Sequence, residues 1–318
     1  MCKDVTSNKI AVLAGGWSDE RDVSMSSGKE VRHALQEAGF SQVDLLDVAQ
    51  DDFMERLMGG AYDVAFVAMH GKYGEDGCVQ GLLEVLHIPY TFSGVLASAL
   101  AMAKDVTKTV YERAGIPTAA GVTLMDGEEV SEERLDEIVE ELGLPVFVKP
   151  ASNGSSFGIS HVLDRSSLRE AVNKAALTGG HVLIEAAIVG EEITVPVIGN
   201  DKPRALPIIE VVTGADFYDE KVKYEPSELH HVIPARLSED VAARASELAE
   251  RAHVALGCRG CSRSDFIVAA DGTPYILETN TIPGMTAASL LPDSARHAGI
   301  EFSELCKYFV ELALEGTR

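Results

Sequence analysis

Lys9-Ile10-Ala11-Val12-Leu13-Ala14-Gly15-Gly16 reads KIAVLAGG, an apolar run that ends in two glycines. A short continuous apolar run with no polar alternation suits a strand buried on both faces, and a glycine pair suits a turn at its carboxyl end. Ser24 to Ala38 follows with Val31, Leu35 and Ala38 at helical spacing. VDLLDV (43–48) and YDVAFVAMHG (62–71) read as further buried strands. Strands alternating with helices predict an α/β fold with a doubly wound parallel sheet over the first 102 residues, whose ligands belong at the carboxyl ends of the strands. Gly15-Gly16 and His70-Gly71 sit at those ends. The glycines do not complete G-x-G-x-x-G, and no Walker A pattern occurs, so the usual dinucleotide and P-loop readings lose support.

The texture changes near Lys104. A helix runs to Ala114, a Gly-Ile-Pro break follows, and an acidic helix from Ser131 to Leu142 leads into PVFVKP and the small, polar ASNGSSFGIS. From Gly190 onward the chain reads as strands at EITVPVIG and RALPIIEV, a long irregular segment from Thr213 to Leu229, and an amphipathic helix from Glu239 to Leu256. Two strands, SDFIVAA and TPYILET, then flank the turn DGT, a hairpin signal. The division expected is 1–102, 103–189 and 190–318.

Composition narrows the function. A chain of 318 residues, 46% hydrophobic, can bury the cores of two or three domains. Its 27 Lys and Arg against 50 Asp and Glu leave a formal charge of −23, which repels a polyanion and argues against nucleic acid as a partner. Val95 to Ala103, the most apolar stretch, is far shorter than the roughly 20 residues of a spanning helix and is interrupted by Ser98, so no membrane partner is expected. MCKDVTSNKI carries no apolar signal region, and five scattered cysteines do not resemble a secreted disulfide framework; both favour a cytoplasmic setting. Cys258 and Cys261 form a C-x-x-C without a second pair nearby, which reads as two ordinary reduced thiols.

The chemistry concentrates in the last hairpin. ILETNTIPGMT (276–286) sets Glu278 and Asn280 two residues apart on one strand face, and pairing through Asp271-Gly272 can bring Asp265 beside them. Three oxygen donors without His or Cys suit Mg²⁺. An isolated strand end running into a Pro-Gly turn is the plain alternative. Arg263, two residues before Asp265, shares its face. KPASNGSSFG (149–158) can approach phosphates with backbone N–H groups and hydroxyls, or can serve as a flexible linker. Lys223, with Tyr218 and Tyr224, lies in an irregular loop whose length suits a lid.

AGGWSDERDVS, HGKYGEDGCVQGLLE, IPYTFSGVLASALAMAKDVTK, VFVKPASNGSSFGIS, FYDEKVKY, GCRGCSRSDF and YILETNTIPGMTAASLLP, in this order along nearly the whole chain, closely resemble the D-alanine–D-alanine ligases of the ATP-grasp superfamily. The resemblance implies a three-domain ATP-grasp fold, with ATP held between the central and C-terminal domains. It implies that Lys104, Lys149 and Ser156 contact the phosphates, Glu185 with the backbone at Ala187 and Ile188 reads the adenine, and Glu192 holds the ribose. Asp265, Glu278 and Asn280 match ligands for two Mg²⁺ ions, for which Mn²⁺ can substitute, and Lys223 matches the loop lysine that reaches the γ-phosphate.

Glu20 matches the acid that holds the first D-alanine's ammonium, with Ser155 and Tyr224 as hydrogen-bonded companions. Arg263 and the Gly284 N–H match the oxyanion site, and Ser289 and Leu290 the contacts to the second D-alanine's carboxylate. His70 lies near the first substrate in relatives; otherwise it is a packed strand-end histidine. The implied reaction joins two D-alanines through a D-alanyl phosphate for peptidoglycan precursors, in a homodimer as relatives often are. A D-lactate or D-serine acceptor, or an inactive nucleotide-binding protein, are the rivals. Ala103, Phe92 and Ser264 depart from the family's common residues, where Asp, Gly and a larger apolar residue are usual.

Overall fold

β1 (Ile10–Ala14) is buried at every position, as its uninterrupted apolar sequence requires. The computed structural model describes residues 4–152, 158–178, 180–213 and 229–315. α1 (Arg21–Glu37) begins three residues ahead of the Ser24 start expected from apolar spacing, which leaves Glu20 at its N-terminal boundary. β2 (Val43–Asp47), α2 (Phe53–Gly59) and β3 (Val64–Val67) complete a three-stranded parallel sheet in the order β2-β1-β3. The chain crosses from one side of β1 to the other, so the carboxyl ends of β1 and β3 open into a crevice. Gly15 makes the turn there with φ +79, and a Cβ on it would lie 2.2 Å from Asp47 Oδ1. That oxygen is fixed by Arg21, whose Nη1 donates to it at 2.9 Å. α3 (Cys78–Val85) and α4 (Val95–Met102) follow.

α5 (Lys104–Arg113) leads into β4 (Gly121–Leu124), α6 (Glu132–Leu142), β5 (Val146–Pro150), β6 (Ser160–Val162), α7 (Arg165–Ala176) and β7 (Val182–Ala186). The four strands pair antiparallel in the order β4-β7-β5-β6. Ser131 caps α6 by accepting from Arg134 N at 3.1 Å, and Asp164 caps α7 by accepting from Ser166 N at 3.0 Å. Leu135, Ile138, Leu168 and Val172 pack the two helices on this sheet in a core of their own.

β8 (Gly190–Ile198) opens the largest sheet, with β9 (Arg204–Ala205) and β10 (Ile209–Thr213). RALPIIEV is therefore two strands and not one. Pro207, which has no N–H to give a ladder, lies in the break between them. β11 (Leu229–Val232), α8 (Glu239–Leu256), β12 (Cys261–Ala269) and β13 (Pro274–Asn280) follow. The sheet runs β11-β10-β8-β12-β13, with β9 beside β8, and its pairings are antiparallel. α8 has the bounds expected, with Ser238 at its N-cap and Gly257 at φ +72 ending it. α9 (Leu290–His297) and α10 (Phe302–Leu314) close the chain. Leu305, Phe309 and Val310 of α10 join Val12, Leu35 and Phe66 in the core of the parallel sheet, so the chain ends where it began. No described helix is long and apolar enough to cross a membrane.

Candidate active site

The final hairpin sets the centre of the site. Asp265 on β12 is opposite Glu278 on β13, and Arg263 is opposite Asn280, so all four residues share one face. Strict alternation would place Ile276 on that face too. It is instead buried in the core, because the pairing skips Leu277 between Phe266↔Ile276 and Asp265↔Glu278. The extra residue is a β-bulge, which re-aims the end of the strand. Leu277, Glu278 and Asn280 consequently all line one cleft of about 800 Å³.

The Asp265 and Glu278 carboxylates each meet a cation inside this cleft. Arg263 holds Asp265 with two bonds, Nε to Oδ1 at 3.0 Å and Nη2 to Oδ2 at 2.9 Å, and Thr194 Oγ1 donates to Oδ1 at 2.5 Å. Lys104 Nζ, from the first turn of α5, lies 3.1 Å from Glu278 Oε2. Burial alone would raise the Glu278 pKa, but Lys104, Lys149 and Arg263 outweigh it and hold the carboxyl below the ordinary range. Asn280 Oδ1 accepts from Ile282 N at 2.8 Å. The donor set fits a hard divalent cation: two carboxylates facing each other and an amide oxygen, with no sulfur or imidazole among them.

The opposite wall is the four-stranded sheet. Lys149 from β5 and Glu185 from β7 are ion-paired, and Lys108 Nζ reaches the other Glu185 oxygen, Oε1, at 2.6 Å. Burial pushes the Glu185 pKa up, but the two ammonium groups outweigh it and keep the carboxyl below its usual value. Lys149, whose burial acts to lower its pKa, is held above the usual lysine value by Glu185 and Glu278. Lys108 was missed by sequence reasoning. Its signal was the four-residue spacing from Lys104, which puts both on one side of α5. The Ala187 and Ile188 backbone borders the cleft, with Ala187 N donating to Pro145 O at 3.0 Å. Glu192, on β8, has its pKa raised to about 7 by burial and by the negative charge of Asp265 and Glu278.

Loops of the parallel sheet close the far end. Glu20 Oε2 packs against Gly71, where an added Cβ would lie 2.8 Å from it. His70 is both a packed strand-end histidine, 5% exposed, and a lining residue of the cleft. Its Nε2 is 3.1 Å from Ser27 Oγ, which also accepts from Met285 N at 3.4 Å. That hydroxyl ties α1 to the segment carrying Gly284. Ser289 Oγ is 2.8 Å from Thr286 Oγ1 and would be 2.9 Å from a Cβ at Gly284. Ser289 and Leu290 begin α9 at the cleft edge.

Every described residue to which the family resemblance gives a substrate, nucleotide or metal role therefore borders the same cleft, while Gly15, Gly16 and Gly71 do not. Ser155, Ser156, Lys223 and Tyr224, with the 213–229 loop that carries the last two, fall on or beyond the edge of the described residues. Cys258 and Cys261 are free buried thiols, and burial raises the pKa of both, Cys258 to about 12, which is the state of unreactive thiols.

The family model described as D-ala D-ala ligase C-terminus matches residues 110–311, and the one described as D-ala D-ala ligase N-terminus matches residues 48–93. The chain is 47% identical over 311 residues to the D-alanine–D-alanine ligase of Desulforamulus reducens, a match covering 96% of this chain and 99% of the relative. It is 47% identical over 309 residues to that of Moorella thermoacetica, with 96% and 99% covered. Among solved structures, the D-alanine–D-alanine ligase of Bacillus anthracis complexed with ATP superposes with a TM-score of 0.84 at 34% identity over 98% of each chain. The Coxiella burnetii D-alanine–D-alanine ligase gives 0.83 at 27% identity, over 98% of this chain and 95% of that one.

Proposed function

The chain belongs to the D-alanine–D-alanine ligase family, and from that premise we propose that it joins two D-alanines into D-alanyl-D-alanine at the expense of ATP, supplying a peptidoglycan precursor. The observation that carries this reading is the cleft in which Asp265 and Glu278 meet Lys104, Lys149 and Arg263, with Glu20 also lining it. The parts 1–102, 103–189 and 190–318 are its three domains; the four-stranded sheet has a core wholly inside the second part, whereas Tyr111 and Ile116 pack in the core of the largest sheet, and Ile198, Ile282 and Leu291, with α10, pack in the core of the parallel sheet.

A carboxylate is a poor acyl donor, because its charge repels a nucleophile and oxide does not leave. Phosphorylation removes both obstacles. Lys104 and Lys149 bind the ATP phosphates and absorb the charge that develops as the γ-phosphoryl moves to the first D-alanine's carboxylate. Glu185 and the Ala187-Ile188 backbone hold the adenine, and Glu192 holds the ribose. Asp265, Glu278 and Asn280 hold Mg²⁺, which screens phosphate charge when bound. Glu20 anchors the first substrate's ammonium, and His70 lies beside it. The second D-alanine, held by Ser289 and Leu290, attacks the acyl phosphate as the neutral amine; Arg263 and the Gly284 N–H stabilise the tetrahedral oxyanion, and phosphate leaves. Ser155, Ser156, Lys223 and Tyr224 complete the machinery by family resemblance. The protein works in the cytoplasm, as a homodimer.

Phosphate release with MgATP and D-alanine, L-alanine, or D-alanine together with D-lactate, followed by product analysis, tests the reading. D-alanine is expected to give phosphate and dipeptide in equal amounts, and L-alanine neither. Ester as the main product with D-lactate would make this a D-alanine–D-lactate ligase, and no turnover with any of them would leave only a nucleotide-binding protein.

A further inference from the structure

α5 presents three polar side chains on one face at positions 104, 108 and 111, each meeting a different part of the site. Lys104 reaches Glu278 at 3.1 Å, Tyr111 O–H donates to Thr279 Oγ1 at 2.7 Å, and Lys108 reaches Glu185 at 2.6 Å. Lys108 differs from the other lysines of the site. Its ammonium has three N–H groups, and the structure gives them three acceptors: Glu185 Oε1, Thr118 Oγ1 at 3.0 Å and Ala119 O at 2.5 Å. It has no proton left for a ligand and does not line the cleft, whereas Lys149, on the other Glu185 oxygen, does.

The division of labour follows from electrostatics. A carboxylate this buried, 5% exposed, needs a cation beside it to remain charged. Once Lys149 turns toward nucleotide phosphates, Glu185 keeps one ammonium, that of Lys108. A charged carboxylate accepts from the exocyclic N–H of adenine and repels the carbonyl oxygen that guanine presents in the same place. A neutral or displaced carboxyl does neither.

We propose that Lys108 is a positioning residue for base recognition: it pins the Glu185 carboxylate as an anion while Lys149 serves the phosphates, and through Glu185 it makes the site prefer ATP to GTP. The proposal rests on the ATP reading above and extends it to a residue that touches no substrate.

The test measures kcat and KM for MgATP and MgGTP, with saturating D-alanine, in wild type, Lys108→Met, Lys108→Arg, Glu185→Gln and the double variant K108M/E185Q. For Lys108→Met the KM for ATP is expected to rise about 10-fold or more, with a smaller change in kcat and little change for GTP, so the ATP over GTP preference falls about 10-fold. Lys108→Arg, which keeps the charge, should restore most of that preference. In the E185Q background Lys108→Met should add less than about 2-fold, because the residue acts through Glu185. An unchanged ATP over GTP ratio in Lys108→Met, equal losses with both nucleotides, or full additivity with E185Q each overturns the proposal. Should Lys108→Met fail to fold by circular dichroism, Lys108→Gln, which retains hydrogen bonding without the charge, is read by the same criteria. Wild type without ATP-dependent turnover would count against the ligase reading itself, and an active wild type with an indifferent Lys108 against this inference alone.

Discussion

Asp265 stands directly opposite Glu278 across β12 and β13, and the pairing is reached over a break in register at Leu277. Two carboxylates in a cross-strand pair repel each other unless cations intervene, and here each has its own: Arg263 for Asp265, Lys104 for Glu278. Glu278→Gln keeps the shape and removes the charge. Turnover is expected to fall at least about 100-fold, the scale of losing one strong electrostatic contact in a transition state. Near-normal rates at saturating Mg²⁺ would remove Glu278 from the metal site.

Behind that pair, on the core side of the hairpin, lies a chain of buried hydroxyls. Tyr111 O–H donates to Thr279 Oγ1 at 2.7 Å, and Thr279 Oγ1 is 2.8 Å from Ser264 Oγ. Ser264 thus stands where relatives usually carry a larger apolar residue because this chain has a hydrogen-bond partner for it. Thr279 is the middle link, so Thr279→Val strands two buried hydroxyls and should cost about 2–4 kcal/mol, whereas Ser264→Ala leaves Tyr111 and Thr279 paired and should cost about 1 kcal/mol. Urea midpoints measure both. Equal losses in the two variants would mean that the hydroxyls do not act as a chain.

The legible part of this molecule was the part written in local pattern. KIAVLAGG became the central strand of the parallel sheet, α8 kept its expected bounds, and the DGT turn joined the two strands that carry Asp265, Glu278 and Asn280. The family resemblance implied an ATP-grasp fold, and the superposition on solved ligases agrees with it. Three features could not be assigned from local pattern alone. The Leu277 bulge depends on what faces the strand, not on its own residues. Lys108 looks like any helical lysine until Glu185, 77 positions away, folds against it. The seating of α10 on the first sheet is a contact between opposite ends of the chain, which periodicity cannot encode.

Phe92 departs from the glycine common in relatives, and the backbone shows why glycine suits the position: its φ is +72, in the left-handed region. The side chain compensates. It is 4% exposed and packs edge-on against Phe66 and Phe309, with ring centroids 5.3 Å and 5.1 Å apart, joining the parallel sheet to α10. Removing a buried phenylalanine costs about 3–5 kcal/mol, and relieving the left-handed strain returns about 1–2 kcal/mol. The cavity wins. Phe92→Gly is expected to be destabilised by about 2–3 kcal/mol in chemical denaturation, and a variant as stable as wild type would show that strain and packing cancel.

His253 gives the fold a pH dependence of predictable sign. It sits on the inner face of α8, 1% exposed, with Nδ1 2.8 Å from Ser262 Oγ. Burial pushes its pKa from 6.5 down to about 4, against the opposing pull of backbone hydrogen bonding at Gly199 and Cys258. In the unfolded chain the imidazole takes up a proton near its ordinary pKa, while in the fold it stays neutral until about pH 4. Between those values the unfolded state binds more protons, so this group's stabilisation is complete above the unfolded pKa and is lost as the pH falls toward the folded one. By pH 5 the loss should be about 2 kcal/mol. Carboxylates titrate in the same range, so the reading is a difference: urea midpoints at pH 7.5 and pH 5 for wild type and for His253→Asn, whose amide can still meet Ser262 but takes up no proton. Wild type should lose about 2 kcal/mol more than the variant over this interval. Parallel losses in the two proteins would mean that His253 is already charged, or already exposed, in the folded state.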